Sequence, residues 1–369
     1  MERFFGNRRI TLYPSGTAAL AQAIASCAAR RSVSDPEVII PAYGCPDLVA
    51  ACLHASVHPR LVDVAPTQWS YDLEALHASL SPNTVAIVAV NLLGVGDSST
   101  QLARVCREKQ IPLIQDSAQY LPREPTDWPG DYVVLSFGRG KPLNLLHGGA
   151  LIAPPGDSHS LSVRPPHYSG RHRLLSTRAA AIAFNVLTRP HAYRLLAALP
   201  GTGLGEVLYK PLRDAAPFPD AAWRQLGSAF EHYREKPSYR RSIWAPALEE
   251  WAPLGIHALS SPGSPLPAEP LRLALLAPDR AARDRLVGLF NQAGLGASCF
   301  YGTHLPKVAG LPESASRQGP FPNASELADR LFTLPTHDLV TGSTVRIASQ
   351  MASTWIRSQR RPQNSASPT

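Results

Sequence analysis

The chain has 369 residues, 44% of them hydrophobic and 17% charged, which fits a globular protein with more than one structural unit and excludes a disordered chain. A net charge of +8 favours anionic ligands, yet its arginines gather in patches such as SGRHRLLSTR and IRSQRRPQ, without the interleaved aromatics of a nucleic-acid surface. The best candidate for a membrane span, AAAIAFNVL at 179–187, is far too short, and the five cysteines (Cys27, Cys45, Cys52, Cys106, Cys299) form no C-x-x-C or zinc-type pattern, so a cytoplasmic protein with no transmembrane segment and no metal is expected.

From residue 15 to residue 153 apolar runs and helical periods alternate. TAALAQAIASCAARR predicts a helix, EVIIPAY a buried strand, and PDLVAACLHA a second helix with Pro46 and Asp47 as start signals. PRLVDV predicts a strand, DLEALHASL a helix, TVAIVAVNLLG a fully buried strand and SSTQLARVCREKQ a helix with serine caps. IPLIQDSAQY, DYVVLSFG and GGALIAP follow as three strands. Continuous Val/Ile/Leu strands between helices predict an α/β protein whose mainly parallel sheet is covered on both faces.

Beyond about residue 155 a Pro/Ser/Gly/His-rich connection leads to a helical stretch over STRAAAIAFNVLTRPHAYRLLAALPGTGLG and a polar linking helix at AWRQLGSAFEHYREK. A smaller α/β unit is expected from Ile243, with strands at LRLALLAP and GASCFYG and helices at DRAARDRLVGLFNQAG and NASELADRLFTL. These signals divide the chain into a large unit over 1–242, a small one over 243–357 and a disordered tail over 358–369.

In sheets of this kind chemistry collects beyond the carboxyl ends of the strands. Three pieces fall there. PSGTAAL puts a glycine turn at a helix start, which serves either as a simple N-cap or as an anion seat. Asp116, with Gln119 in QDSAQ, leaves a buried strand, and a carboxylate there needs an ion-pair partner, a helix to cap or a cationic ligand. Ser136 is followed by Lys141 in SFGRGK, between two apolar runs where an unpartnered lysine is rare. Pyridoxal phosphate (PLP) unites the three. Its phosphate would rest on Gly16, Thr17 and Ala18 with help from Ser136, Asp116 would pair with the ring nitrogen, and the amine of Lys141 would form a Schiff base with the aldehyde.

SGTAAL, VIIPAYGCPDLVAACLHASVHPRLVDV, IPLIQDSAQ and SFGRGK with GGA stand in the order found in the DegT/DnrJ/EryC1/StrS family of sugar aminotransferases, which the chain resembles over roughly residues 10–340. AGLGASCFYGTHLP and SELADRLFTLPTH look like that family's small-domain elements. The resemblance implies the PLP-dependent transferase fold of aspartate aminotransferase type I. It makes Lys141 the catalytic Schiff-base lysine and proton shuttle, with Asp116 on the pyridinium and Gln119 near the ring hydroxyl. It also implies a homodimer, an amino-acid donor such as glutamate and an anionic keto acceptor, typically a nucleotide-linked keto sugar. The chain departs from the family pattern in three places. Cys45 stands where an aromatic often covers the ring, with Tyr43 two residues earlier; Leu146-His147-Gly148-Gly149 replaces Gly-Glu-Gly-Gly; and the partner-subunit asparagine has only Asn185 as a loose match. His147, Tyr301, His304 and Arg346 are further candidates with packing or solvated alternatives. A sugar dehydratase and a scaffold or regulatory protein on a degraded aminotransferase frame are the rival readings.

Overall fold

The computed structural model describes residues 1–96, 99–157, 207–213, 220–235, 242–261 and 270–360. The helix expected over 176–205 and Asn185 lie outside them.

The strand Thr84–Val90 shows how the large sheet forms. All seven residues are buried, and successive side chains enter different cores: Val88 joins the cluster that includes α1 (Gly16–Arg31) and α2 (Asp47–His54), whereas Ile87 and Ala89 join one with Leu76, Leu102 and Cys106. Those last three belong to α3 (Leu73–Ser79) and α4 (Ser99–Lys109). A strand apolar on both faces must be covered on both faces, and it is.

The sheet comprises β1 (Arg9–Tyr13), β2 (Glu37–Pro41), β3 (His58–Val62), β4 (Thr84–Val90), β5 (Leu113–Asp116), β6 (Tyr132–Ser136) and β7 (Gly149–Ala153), in the order β1-β7-β6-β5-β4-β2-β3. Strands β3, β2, β4, β5 and β6 are parallel. β7 is antiparallel to β6 and to β1, so β1 runs with the parallel set and β7 alone is reversed. The sequence reading missed β1: RITLY is short and follows a run of polar residues, and its partner β7 lies far along the chain. β1 has a consequence for the site, because it delivers the start of α1 to the carboxyl edge of the sheet.

The helix Asp220–Glu235 is less polar than expected. Leu226 and Phe230 are buried with Phe4, Phe5, Val133 and Leu135, and the rings of Phe4 and Phe230 meet edge to face at 5.1 Å.

A second sheet, order β10-β9-β8, joins His257–Ala258 (β8), Arg272–Leu276 (β9) and Leu331–Pro335 (β10), all antiparallel. It packs around a core of Trp244, Trp251, Phe290 and Phe332. Two expectations fail here. GASCFYG is not a strand: only Ser298 makes a bridge, to Thr333, while Gly296, Phe300 and Gly302 all have positive φ and turn the chain. NASELADRLFTL is not one helix, because the helix Pro322–Arg330 ends and LFTLP becomes β10, whose partner β9 is remote in sequence. The final helix, Gly342–Arg360, was not anticipated and runs past the expected start of the tail at 358.

The two sheets are tied together by polar contacts. Asp63 accepts from the backbone N–H groups of Asn323 and Ala324 at 3.0 and 2.8 Å. The Gln318 side chain accepts from Leu61 N and donates to Pro59 O, at 2.9 and 2.7 Å, occupying part of the free edge of β3. Leu305 N donates to Ala42 O at 2.8 Å, and Trp69 N to Ser260 O at 2.7 Å. Among the described residues no helix is long and apolar enough to cross a membrane.

Candidate active site

The start of α1 is built from small residues. Ser15, extended at φ −154°, caps the helix by accepting from Ala18 N at 3.0 Å. A Cβ on Gly16 would lie 2.7 Å from the Ser136 Cβ, and one on Gly149 would lie 2.6 Å from the Gly16 nitrogen. Only glycine at both positions lets the helix end, β6 and β7 approach at backbone distance. The N-terminus of the 16-residue helix, the positive end of its dipole, thus lies against Ser136.

β5 ends on Asp116 and β6 on Ser136, both at the carboxyl edge. Asp116 Oδ1 accepts from Ala118 N at 3.0 Å, and no cation among the described residues is within ion-pair distance. Burial pushes its carboxyl above the ordinary range, against the pull of the Ala118 N–H and then of Lys141. Lys141 sits in the connection from β6 to β7, directly after Gly140, whose φ is +69°. Phe137 N donates to Gly148 O, and Leu145 N to Phe137 O, each at 2.8 Å, closing the base of that connection. Buried Leu143 and Leu145 anchor it.

These parts enclose one pocket of about 540 Å³. Of the seven residues selected from the sequence, Gly16, Thr17, Asp116, Gln119, Ser136 and Lys141 all line it. Ala18 does not line it, and its N–H is engaged by the Ser15 cap. Gln119 is held at both ends: its Oε1 accepts from Leu93 N at 2.7 Å and its Nε2 donates to the Tyr301 hydroxyl at 3.1 Å.

Tyr301 lines the pocket as well, brought in by the turn that replaces the expected strand. Its ring lies 5.5 Å from that of Tyr43, which is fully buried behind the wall. Cys45 is in the pocket, and burial, reinforced by Asp47, pushes its thiol up to about 12. His304 and Arg346 do not line it, and Arg346 is exposed on the last helix. His147 is also outside, with burial lowering its pKa.

Sequence reasoning missed two polar residues of the site. Asn91 follows β4 and donates to Ser117 Oγ at 2.6 Å; a polar residue ending an apolar strand was its available signal. Asp47 was read only as a helix start, yet it lines the pocket and accepts from Thr17 Oγ1 at 3.1 Å. Nothing local distinguishes it from an ordinary first-turn acid.

The chemistry of this donor set fits PLP. A helix start whose small residues leave room for an anion, a half-buried carboxylate with no ion-pair partner among the described residues, and a primary amine share one pocket.

The comparisons agree. Residues 1–162 match the model of the DegT/DnrJ/EryC1/StrS aminotransferase family. Over 158 residues the chain is 32% identical to L-glutamine:2-deoxy-scyllo-inosose aminotransferase of Micromonospora echinospora, a match covering 42% of this chain and 36% of that protein. Over 129 residues it is 29% identical to 3-amino-5-hydroxybenzoate synthase of Amycolatopsis mediterranei, covering 33% and 32%. The chain thus spans about a third of the length of the curated relatives it matches. The aminotransferase TlmJ from Streptoalloteichus hindustanus superimposes with a TM-score of 0.69 at 18% identity, covering 97% of this chain and 89% of that one. NtdA from Bacillus subtilis with bound cofactor PMP gives 0.70 at 14% identity, covering 96% and 77%. The chain is thus similar over residues 1–162 to the DegT/DnrJ/EryC1/StrS aminotransferase family, and it shares the fold of these solved enzymes.

Proposed function

We propose that this protein is a PLP-dependent aminotransferase that moves an amino group from an amino-acid donor to a small, anionic keto acceptor. The observation that carries the reading is that Lys141 and Asp116 line one pocket with the start of α1. In this reading Gly16, Thr17 and Ser136 hold the phosphate, aided by the dipole of α1. When bound, the cofactor supplies a carbonyl that takes up the amino group and a ring that withdraws electrons. Asp116 keeps a proton on the ring nitrogen, a pairing that relieves its own burial. Lys141 Nζ would hold the cofactor through its carbonyl and, when free, would accept and return a proton at its own nitrogen. Gln119, braced by Leu93 N and Tyr301, orients toward the ring hydroxyl.

Relatives whose names state a donor give L-glutamine, so glutamine stands beside glutamate as donor. The same names carry scyllo-inosose acceptors, which supports uncharged ketones of this kind as the alternative to anionic, nucleotide-linked keto sugars. The reading includes a homodimer, a large unit over 1–242 with a small one over 243–357, and a cytoplasmic setting, supported by five free cysteines.

The test is the visible spectrum of the purified protein with added PLP. A cofactor band that bleaches with glutamine or glutamate, and is absent in Lys141→Ala, is expected, together with an activity loss of about 10²–10⁴-fold. A colourless protein that ignores the cofactor supports the scaffold reading.

A further inference from the structure

A hollow of about 900 Å³ adjoins the cofactor pocket and shares Thr17 and Asp47 with it. Its other wall is Lys210, Pro211, Leu212 and Arg213. The segment is fixed in place. Tyr209 N donates to Ala309 O at 3.1 Å, Leu208 bridges Ala309, and Val207, Tyr209 and Leu212 pack against the main core. That anchoring leaves the two cations unused. Lys210 and Arg213 are exposed, and among the described residues neither has an ion-pair or hydrogen-bond partner.

Two cations three residues apart, held on one wall of a hollow, concentrate positive potential beside the pocket that contains Lys141. The guanidinium offers a planar fork suited to carboxylate or phosphate, and the ammonium adds a point charge. Opposite them, Asp47 is acceptor-only when ionised, so it favours a ligand that also carries hydroxyl or ammonium donors.

Resting on the aminotransferase reading, we infer that this hollow is the subsite for the anionic group of a substrate. Lys210 and Arg213 hold its carboxylate or phosphate, and Asp47 accepts from its donor groups. The hollow continues into the cofactor pocket through Thr17 and Asp47, so a ligand anchored here extends its reacting carbon toward Lys141. The shared chemistry has two sources, the carboxylate of an amino-acid donor and the phosphate of a phosphorylated acceptor.

The experiment is calorimetric titration of the PLP-loaded protein with succinate and, separately, with uridine diphosphate. Wild type is expected to bind at least one probe. Lys210→Gln combined with Arg213→Gln is expected to weaken it about tenfold and to flatten its salt dependence. Asp47→Asn keeps an acceptor oxygen but removes a like charge, so it is expected to tighten succinate, which carries no donor group. Both cations are exposed, so the double variant keeps its fold and its uptake of PLP. Weakening of succinate alone assigns the donor carboxylate, and of uridine diphosphate alone the acceptor phosphate. Wild type that binds neither probe, or a double variant that binds as wild type does, overturns the subsite while cofactor uptake leaves the functional reading standing. Failure to take up PLP fails that reading, and the subsite with it.

Discussion

Asp116 ends β5 with a single backbone donor on its carboxylate and no cation beside it among the described residues. Its carboxyl is raised by burial, so the folded protein binds this proton more tightly than the unfolded chain does. That contribution to stability is present below the ordinary carboxylate value of about 4 and is lost as pH rises through the folded value. Asp116→Asn therefore raises the melting temperature of the cofactor-free protein at pH 7, and the gain disappears in melts at about pH 3. The same variant binds PLP more weakly, because it offers the ring nitrogen no charge. Wild-type melting that does not change across this range relative to the variant would contradict the strained carboxylate. Tyr301 is a second case. Removing its hydroxyl in Tyr301→Phe leaves Gln119 Nε2 without its 3.1 Å partner. A cost of about 1–2 kcal/mol by urea titration is expected, with a weaker hold on the cofactor.

At the scale of elements, the site depends on how closely α1, β6 and β7 meet. A methyl group at residue 149 would land 2.6 Å from the Gly16 nitrogen, a contact that rotamer changes cannot relieve because both partners are backbone. Gly149→Ala is expected to cost about 1–3 kcal/mol in denaturant unfolding and to abolish PLP uptake, since the helix start must shift. The helix Asp220–Glu235 depends on Phe230, fully buried against Phe4 and the outer face of β6 and β7. Phe230→Ala should cost about 3–5 kcal/mol by the same measurement, and because its cluster includes Leu143 and Leu145, which anchor the connection carrying Lys141, PLP uptake is expected to weaken with it.

For the whole molecule, the decisive contacts are those that hold the second sheet to the first. Asp63 accepts from Asn323 N and Ala324 N at the start of the helix Pro322–Arg330, and the same half of the chain carries Tyr301 into the pocket. Asp63→Ala leaves those N–H groups without their acceptor, at an expected cost of about 1–3 kcal/mol. PLP affinity falls with it, although residue 63 does not line the pocket. A variant that loses stability and keeps wild-type affinity would show that the two sheets are independent in this respect.

The amino-acid sequence by itself determined the alternation of buried strands and helices from α1 to β7. It also determined the polar residues at strand ends, because both signals are local: period, apolar run length and a charged residue where the run stops. Asp116, Ser136 and Lys141 were legible for that reason, and Gly16 and Thr17 from the glycine turn before an alanine-rich helix. Tertiary structure alone decided the rest. β1 and β10 are strands because partners remote in sequence accept their hydrogen bonds. CFYG is a turn because positive φ at Phe300 and Gly302 carries Tyr301 to Gln119, 182 residues away. Asp47 and the cations at 210 and 213 became neighbours only when separate segments packed on α1 and α2. Proximity between distant residues is set by the closing of the core, which no window along the chain contains.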